Sequence, residues 1–489
     1  MIAKKEAIKK YNDGLDTWER KNGFLINEKD GVVSIDSYES TTLFILKKLI
    51  NYSHLPDREQ QKSNERFLRE CGMEFEDVLK KIALKNLFVS SQVMLIYGAA
   101  GTGKTTLIKY ISEMMNQSKK LFLTKTHTAL QNLQKTVSDS GNNLFSSIDS
   151  VVKGNDSVDF DIVLIDECST IDNRTMKALL EKLNKGTRLV LSGDIYQIES
   201  IDFGNWFYYA KDIIKGKGAS IELLHTWRTD KEDLNNLWDE VRGKRPIITE
   251  KLSMDGPFSE DLGEGIFDLD DDEVVLCLNY DGKFGLNNMN QYFQNANTKS
   301  EAFSWAEWIF KIGDRIIFLD TKRSSLLYNN LKGTIENIVK NDSSIVFTID
   351  IRTYLTEEQC KNETFEYLEN TEDGTRIKLE VIAWDDELSE EDRVKTVIPF
   401  QIAYAISIHK AQGLEYKSVK VVIPSSNAEK ITHSIFYTAI TRAKEKLKIF
   451  WSAETMETIV KSFTDEKIEQ ITLPLIKEKL LADDMESRL

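Results

Sequence analysis

Gly98-Ala-Ala-Gly-Thr-Gly-Lys-Thr105 is the stretch whose reading decides the fold. It fits the pattern G-x-x-x-x-G-K-[ST] of a phosphate-binding loop. The apolar run Val93-Met-Leu-Ile-Tyr97 precedes it, and Leu107-Ile-Lys-Tyr-Ile111 follows. That order predicts a strand, a glycine-rich turn and a helix, the context in which the pattern binds a nucleoside triphosphate. Gly98, Gly101 and Gly103 let backbone N–H groups face phosphate oxygens with no Cβ in the way, and the helix N-terminus adds favourable partial charge. Lys104 is positioned for the β- and γ-phosphates and Thr105 for magnesium, with Thr106 completing the nucleotide-contacting set. The expected cofactors are ATP and Mg2+.

Outward from the loop, strand and helix patterns alternate. Leu121-Phe-Leu-Thr124, Ile162-Val-Leu-Ile165 and Arg188-Leu-Val-Leu191 are short apolar runs suited to parallel strands buried on both faces. Helical stretches such as Arg174 to Leu183 lie between them. The expectation is a doubly wound α/β domain. Leu164-Ile-Asp-Glu-Cys-Ser169 ends one of these strands in two carboxylates. Asp166 is placed to hold magnesium, and Glu167 to act as general base on the attacking water. Gln197, in Ser192-Gly-Asp-Ile-Tyr-Gln197, suits contact with the γ-phosphate and that water. Arg228 and Arg442 suit a pair of arginine fingers that stabilise charge on the transferring phosphoryl group.

The 489 residues allow roughly two to four domains. Net charge is −15, which argues against a module that coats duplex DNA by charge alone. Cys71, Cys168, Cys277 and Cys360 are far apart, so neither a zinc site nor a disulfide framework is expected. The N-terminus lacks a signal-type apolar core and no apolar run approaches bilayer length, so the expected location is the cytoplasm, without membrane contact. Residues 1–90 carry helical spacing, as in Thr42 to Ile50 and Phe75 to Ala83. They read either as a helical cap on the core or as a docking surface for a partner protein. The acidic run Asp268 to Glu273 reads as a solvated loop. Residues 310–395 read as a β-rich insertion, and residues 454–489 as a helical tail.

The motif set resembles superfamily 1 helicases, in the RecD/Dda-like branch. The order of loop, Asp166-Glu167, Gly193-Asp194 with Gln197, and Arg228 is the family's. Ala403-Tyr-Ala-Ile-Ser-Ile-His-Lys-Ala-Gln-Gly-Leu-Glu415 is close to the branch's motif V, and Tyr437 to Ala443 is similar to its motif VI. Asn279 to Gln294 looks like the segment that enters the second motor domain. The likeness covers roughly residues 91 to 452. It implies two RecA-like motor domains, residues 91–218 and residues 219–309 with 396–453, and an SH3-like β insertion at 310–395 in the second. It also implies ATP between the motor domains and 5′-to-3′ movement on single-stranded DNA. Contacts to that DNA carry over onto Thr126, His127, Ser147, Asn279, Ser407, His409 and Lys410, and a nucleotide contact onto Glu415. Phe203, Trp206 and Phe207 follow motif III and read either as core or as base-stacking aromatics. The resemblance leaves two further readings open, a regulatory ATPase subunit of a nuclease complex and an RNA-directed motor.

The chain also departs from the family. No clear adenine-reading glutamine motif precedes Val93. Gln197 is followed by Ile198-Glu-Ser200 instead of Leu-Pro, and Asp149 stands where a histidine is usual. Lys153 to Phe160 offers barely a tight turn where the branch carries a strand-separating pin.

Overall fold

A computed structural model describes residues 2–29, 31–54, 58–71, 78–137, 142–154, 158–200, 202–214, 219–244, 248–270, 272–319, 323–463 and 468–486. The chain forms two compact units. The first comprises residues 1–125, 129–230 and 464–489, and the second residues 126–128 and 231–463.

The first unit is built on a six-stranded sheet in the order 143–147, 120–124, 162–165, 188–193, 93–98, 220–223. Every pairing is parallel. The central strands are buried throughout, as continuous apolar runs require. Alternate residues serve the two faces. Leu95, Leu121, Val163 and Leu191 join one core cluster. Met94, Phe122, Leu164 and Val190 join the other.

The N-terminal region belongs to this packing. Helix Asp36–Ser53 buries Ile45, Leu46 and Leu49 in the first cluster. Helix Val78–Asn86 buries Ala83 and Leu84 in the second. Between the first helices, Ile26–Lys29 and Val32–Ile35 pair as an antiparallel hairpin. The C-terminal helix Ile468–Glu486 also packs here, through Ile476 and Leu480, and Tyr209 shares a hydroxyl–hydroxyl hydrogen bond with Thr472 at 2.7 Å.

These contacts correct two expected boundaries. The first unit does not end at residue 218, because Ser220–Leu223 pairs with the strand before the loop. The tail from 454 is divided: helix Ala453–Ser462 lies in the second unit, and residues from 464 in the first.

The second unit holds a parallel sheet in the order 405–407, 273–277, 416–422, 443–450, 259–260. Between its strands 273–277 and 405–407 the chain builds a six-stranded antiparallel sheet, ordered 366–370, 375–382, 344–351, 332–340, 315–318, 400–402. Phe310, Phe347 and Phe400 pack edge to face in its core at centroid separations of 5.0 to 5.6 Å. Arg323 is buried under this sheet and donates to the carbonyls of Lys395, Val397 and Glu380.

Within Lys153–Phe160, the short replacement for a pin, residues 155–157 lie outside the described residues. Residue 271 of the acidic run and residues 75–77 of the anticipated helix ending at Ala83 lie outside them too.

Candidate functional site

The glycine-rich loop joins strand Val93–Gly98 to helix Lys104–Met114. Gly101 and Gly103 have φ of 77° and 79°, a region that costs other residues strain. A Cβ on Gly98 would fall 2.5 Å from the carbonyl oxygen of Leu223, and one on Gly101 would fall 2.3 Å from Arg228 Cβ. The loop is thus shaped by its glycines and closely covered by the segment after strand 220–223. That segment is anchored by Trp227 N–H, which donates to the Gly101 carbonyl at 2.8 Å.

Lys104 Nζ donates to the carbonyls of Gly98 (2.9 Å) and Ala99 (2.8 Å). Burial holds its ammonium below the ordinary lysine range, against the opposing pull of Asp194 and Asp166. A poorly solvated cation held by loop carbonyls fits a phosphate site, since an incoming polyanion offers it stronger acceptors.

Asp166 ends strand Ile162–Ile165 and is buried. Thr105 Oγ1 donates to its Oδ2 at 2.8 Å, and Ser192 Oγ to its Oδ1 at 2.8 Å. The loop hydroxyl and the strand-end carboxylate therefore already lie together as a hard oxygen pair, the donor set magnesium takes. Glu167 has φ of 55°, a left-handed conformation unusual for a residue with a side chain. Its carbonyl accepts from Thr170 N–H (2.9 Å) and Thr170 Oγ1 (2.7 Å), which pin the strained turn. Strain of this kind costs of order 1–3 kcal/mol and gathers at functional sites. Gln197 Nε2 donates to Asp194 Oδ2 at 3.0 Å, and Asp194 is buried.

The first unit thus brings together Gly98, Gly101, Gly103, Lys104, Thr105, Asp166, Glu167, Asp194, Gln197 and Arg228. Lys80 was missed by sequence reasoning. It is buried, and a Cβ on Gly103 would fall 2.5 Å from its Nζ. Its ammonium also lies 5.6 Å from the Trp227 ring centroid. Lys80 follows no motif, so only the fold reveals it.

In the first unit, Ser147 caps the helix Ile148–Lys153, accepting from Ser150 N–H. His127, in the segment 126–128 that belongs to the second unit, is exposed at the start of helix His127–Thr136. Trp206 and Phe207 are core residues, whereas Phe203 is 42% exposed. In the second unit, Ser407 is buried and its Oγ accepts from Lys410 N–H at 3.2 Å, while His409 is exposed. Lys410 Nζ donates to Gln401 Oε1 at 3.1 Å, and Asn279 donates to Asn427. Glu415 pairs with Lys444 at 2.6 Å. Arg442 is 2% exposed. It donates to the carbonyls of Thr438 (2.9 Å) and Leu414 (3.2 Å) and to Thr441 Oγ1 (3.1 Å).

The loop, the strand-end acids and the doubly wound sheet define a P-loop nucleoside triphosphatase. Residues 80–256 match the model of an AAA domain, and residues 402–449 that of a UvrD-like helicase C-terminal domain. The chain is 26% identical over 520 residues to an uncharacterized protein of Methanocaldococcus jannaschii, covering 87% of this chain and 43% of that protein. It thus spans less than half of that relative's length. It is 23% identical to the RecBCD enzyme subunit RecD of Buchnera aphidicola, covering 79% of this chain and 73% of that subunit. Among solved structures, Pif1 helicase from Candida albicans aligns with a TM-score of 0.51 at 16% identity, over 84% of this chain and all of that one. Bacteroides Pif1 bound to ssDNA aligns at 0.50 and 14% identity, over 82% and 96%. In sequence and motif order the chain is thus similar to RecD-type helicase subunits, and in fold to the Pif1 structures.

Proposed function

We propose that the chain is an ATP-driven motor that moves 5′-to-3′ along single-stranded DNA. The observation that carries the catalytic half is the constellation at the carboxyl edge of the first sheet: half-buried Lys104, the Thr105–Asp166 hydrogen bond and the strained turn at Glu167. The motif order and the RecD- and Pif1-type relatives support DNA as the track.

On ATP binding, Lys104 exchanges the Gly98 and Ala99 carbonyls for β- and γ-phosphate oxygens. Thr105 and Asp166 are the residues that would hold Mg2+, which supplies charge neutralisation for the leaving phosphates. Glu167 accepts a proton from the attacking water and Gln197 orients that water. Arg228 places a second cation beside the loop, and Arg442 serves as the finger of motif VI. Glu415 contacts the nucleotide. Thr126, His127, Ser147, Asn279, Ser407, His409 and Lys410 hold the DNA backbone, a grip that reads no bases. The antiparallel sheet of the second unit is the SH3-like insertion of this branch, and the helical N-terminal region is an integral part of the first motor domain. No helix among the described residues is long and apolar enough to cross a membrane. We place the protein in the cytoplasm.

The test is the ATPase rate with and without single-stranded DNA, followed by displacement of streptavidin from oligonucleotides biotinylated at either end. Stimulation by DNA and faster displacement from the 3′ end are expected. An ATPase indifferent to DNA sinks the motor, and faster displacement from the 5′ end reverses the polarity.

A further inference from the structure

Helix Val78–Asn86 turns one stripe of side chains inward. Ala83, Leu84 and the adjoining Leu87 are buried in the second core cluster, against Leu107, Ile108 and Ile111 of the helix after the glycine loop. Residues 80, 83, 84 and 87 share one helical face. The head of that stripe, where an apolar side chain is the ordinary choice, is Lys80, and it is 8% exposed. A lysine is seldom buried so fully. Side chains on a helix lean toward its N-terminus, so the stem of Lys80 runs past the first turn and onto the loop.

Two ammonium groups meet the loop at opposite ends. Lys104 Nζ is held at its start, by the carbonyls of Gly98 and Ala99. Lys80 Nζ lies at its finish: a Cβ on Gly103 would fall 2.5 Å from it and 3.8 Å from Thr106 Oγ1. Trp227, tied to the Gly101 carbonyl through its N–H, turns its ring to this ammonium at 5.6 Å, within cation–π range. His225 packs edge-on against the same ring at 4.3 Å and 74°.

The electrostatics of the position call for an anion. Gly103 is the N-cap of helix Lys104–Met114, whose first N–H groups form the positive end of the helix dipole. Arg228 packs on Gly101 and adds to the burial that lowers the Lys104 pKa. Lys80, Lys104, Arg228 and a helix N-terminus therefore gather at one loop, an arrangement that a polyanion stabilises. In a loop of this type Lys104 and Thr105 serve the β- and γ-phosphates and magnesium, while the α-phosphate rests on backbone amides. Lys80 stands at the amide end, beside Thr106.

We infer that the Lys80 ammonium bonds the α-phosphate of the bound nucleotide and sets affinity without reading the base. The inference rests on the triphosphatase reading above. An ammonium is a compact point charge with rotatable donors, and an α-phosphate is common to every nucleotide. Such a grip is indifferent to the base, in keeping with the sequence before Val93, which carries no clear adenine-reading glutamine motif.

The test titrates the full chain with ribose-labelled fluorescent ATP, ADP, GTP and GDP. Lys80→Met is expected to weaken all four by one common factor of about 10- to 100-fold, the strength of a hydrogen bond to a charged group expressed as affinity. Lys80→Arg keeps the charge and recovers most of the loss. At saturating ATP the turnover of Lys80→Met stays within roughly twofold of the parent while KM rises, because the α-phosphate gains no charge as the γ-phosphoryl group leaves. A loss confined to adenine nucleotides would make Lys80 a base reader, and one confined to triphosphates would move it to the γ-phosphate. Either result overturns the inference, as does unchanged affinity. A structure of the parent chain with ADP and Mg2+ needs no variant. There Lys80 Nζ is expected about 2.7–3.2 Å from an α-phosphate oxygen. An ammonium that stays on the Trp227 ring with no phosphate oxygen in reach overturns the assignment and leaves the triphosphatase standing. A parent chain that binds none of the four nucleotides overturns the triphosphatase reading itself.

Discussion

At the carboxyl end of the first parallel sheet, chain turns carry a half-buried lysine, two acids and a covering arginine around a glycine loop. At the carboxyl end of the second, the comparable positions carry Asn279, Ser407 and Lys410, and its arginine, Arg442, is buried among the unit's own carbonyls. Both sheets are parallel, with their central strands buried. The difference lies in the turns. Gly101 and Gly103 at positive φ open space for phosphate, whereas Ser407 spends its hydroxyl on the Lys410 N–H and tightens its turn. Sheet topology sets where a site is placed, and the turn residues decide which chemistry the place acquires.

The strongest way to break this contrast is to remove chemistry from the first sheet alone. Lys104→Ala should lower ATP turnover about a thousandfold, since it deletes a cationic donor placed for developing charge. Glu167→Gln should lower it roughly a hundredfold or more and leave nucleotide binding near the parent value. Steady-state ATPase assays with a fluorescent-nucleotide titration separate the two. A Glu167→Gln protein turning over at the parent rate would refute the general-base assignment.

How much of this was legible in the sequence follows the same division. The loop and its flanks were readable because glycine spacing and apolar runs are local signals. The acid pair was readable too, but the left-handed backbone of Glu167 was not, because φ at one residue leaves no compositional trace. Strand Ser220–Leu223 escaped because Ser-Ile-Glu-Leu lacks the long apolar run of a central strand, as befits an edge. The hairpin Ile26–Ile35 did carry a signal, Asp30-Gly31 between short β-prone runs, which the helical pattern around it obscured. The packing of Ile476 and Leu480 onto the first unit joins residues more than 250 positions from its sheet, and no local pattern reports that.

The two arginines sharpen the comparison at intermediate scale. Arg228 packs on Gly101, within the unit that holds the loop. Arg228→Ala should cut turnover by about a hundredfold with little change in unfolding temperature. Arg442→Ala should cut turnover and also destabilise the fold, because the Thr438 and Leu414 carbonyls lose a buried donor. That loss costs about 1–3 kcal/mol, or several degrees in Tm. Calorimetry beside the ATPase assay checks the split. Equal Tm losses in both variants would show that Arg228 is as structural as Arg442.

The smallest effect concerns a half-buried lysine of the second unit, Lys332. Lys332 opens the strand Lys332–Lys340, donates to the Glu415 carbonyl at 2.9 Å and sits 3.4 Å over the Tyr416 ring. Burial lowers its pKa to about 8, with Asp272 opposing and Lys444 adding to the shift. The unfolded chain keeps its proton up to about pH 10.4. Between about pH 8 and 10.4 the unfolded state therefore binds more protons than the native one, and stability from this group rises with pH. Below pH 8 the cost of burying the cation is fully present. Lys332→Met removes the titration, so its stability curve should be flatter than the parent's between pH 8 and 10, by roughly 2–4 °C in Tm. Because the lysine holds the backbone of Glu415, its deprotonation also weakens a tie between the antiparallel sheet and the motif V turn. The parent's KM for ATP should therefore rise above pH 8, while that of Lys332→Met stays level. Parallel Tm curves would refute the titration of Lys332, and parallel KM curves would show that the antiparallel sheet does not reach the nucleotide through Glu415.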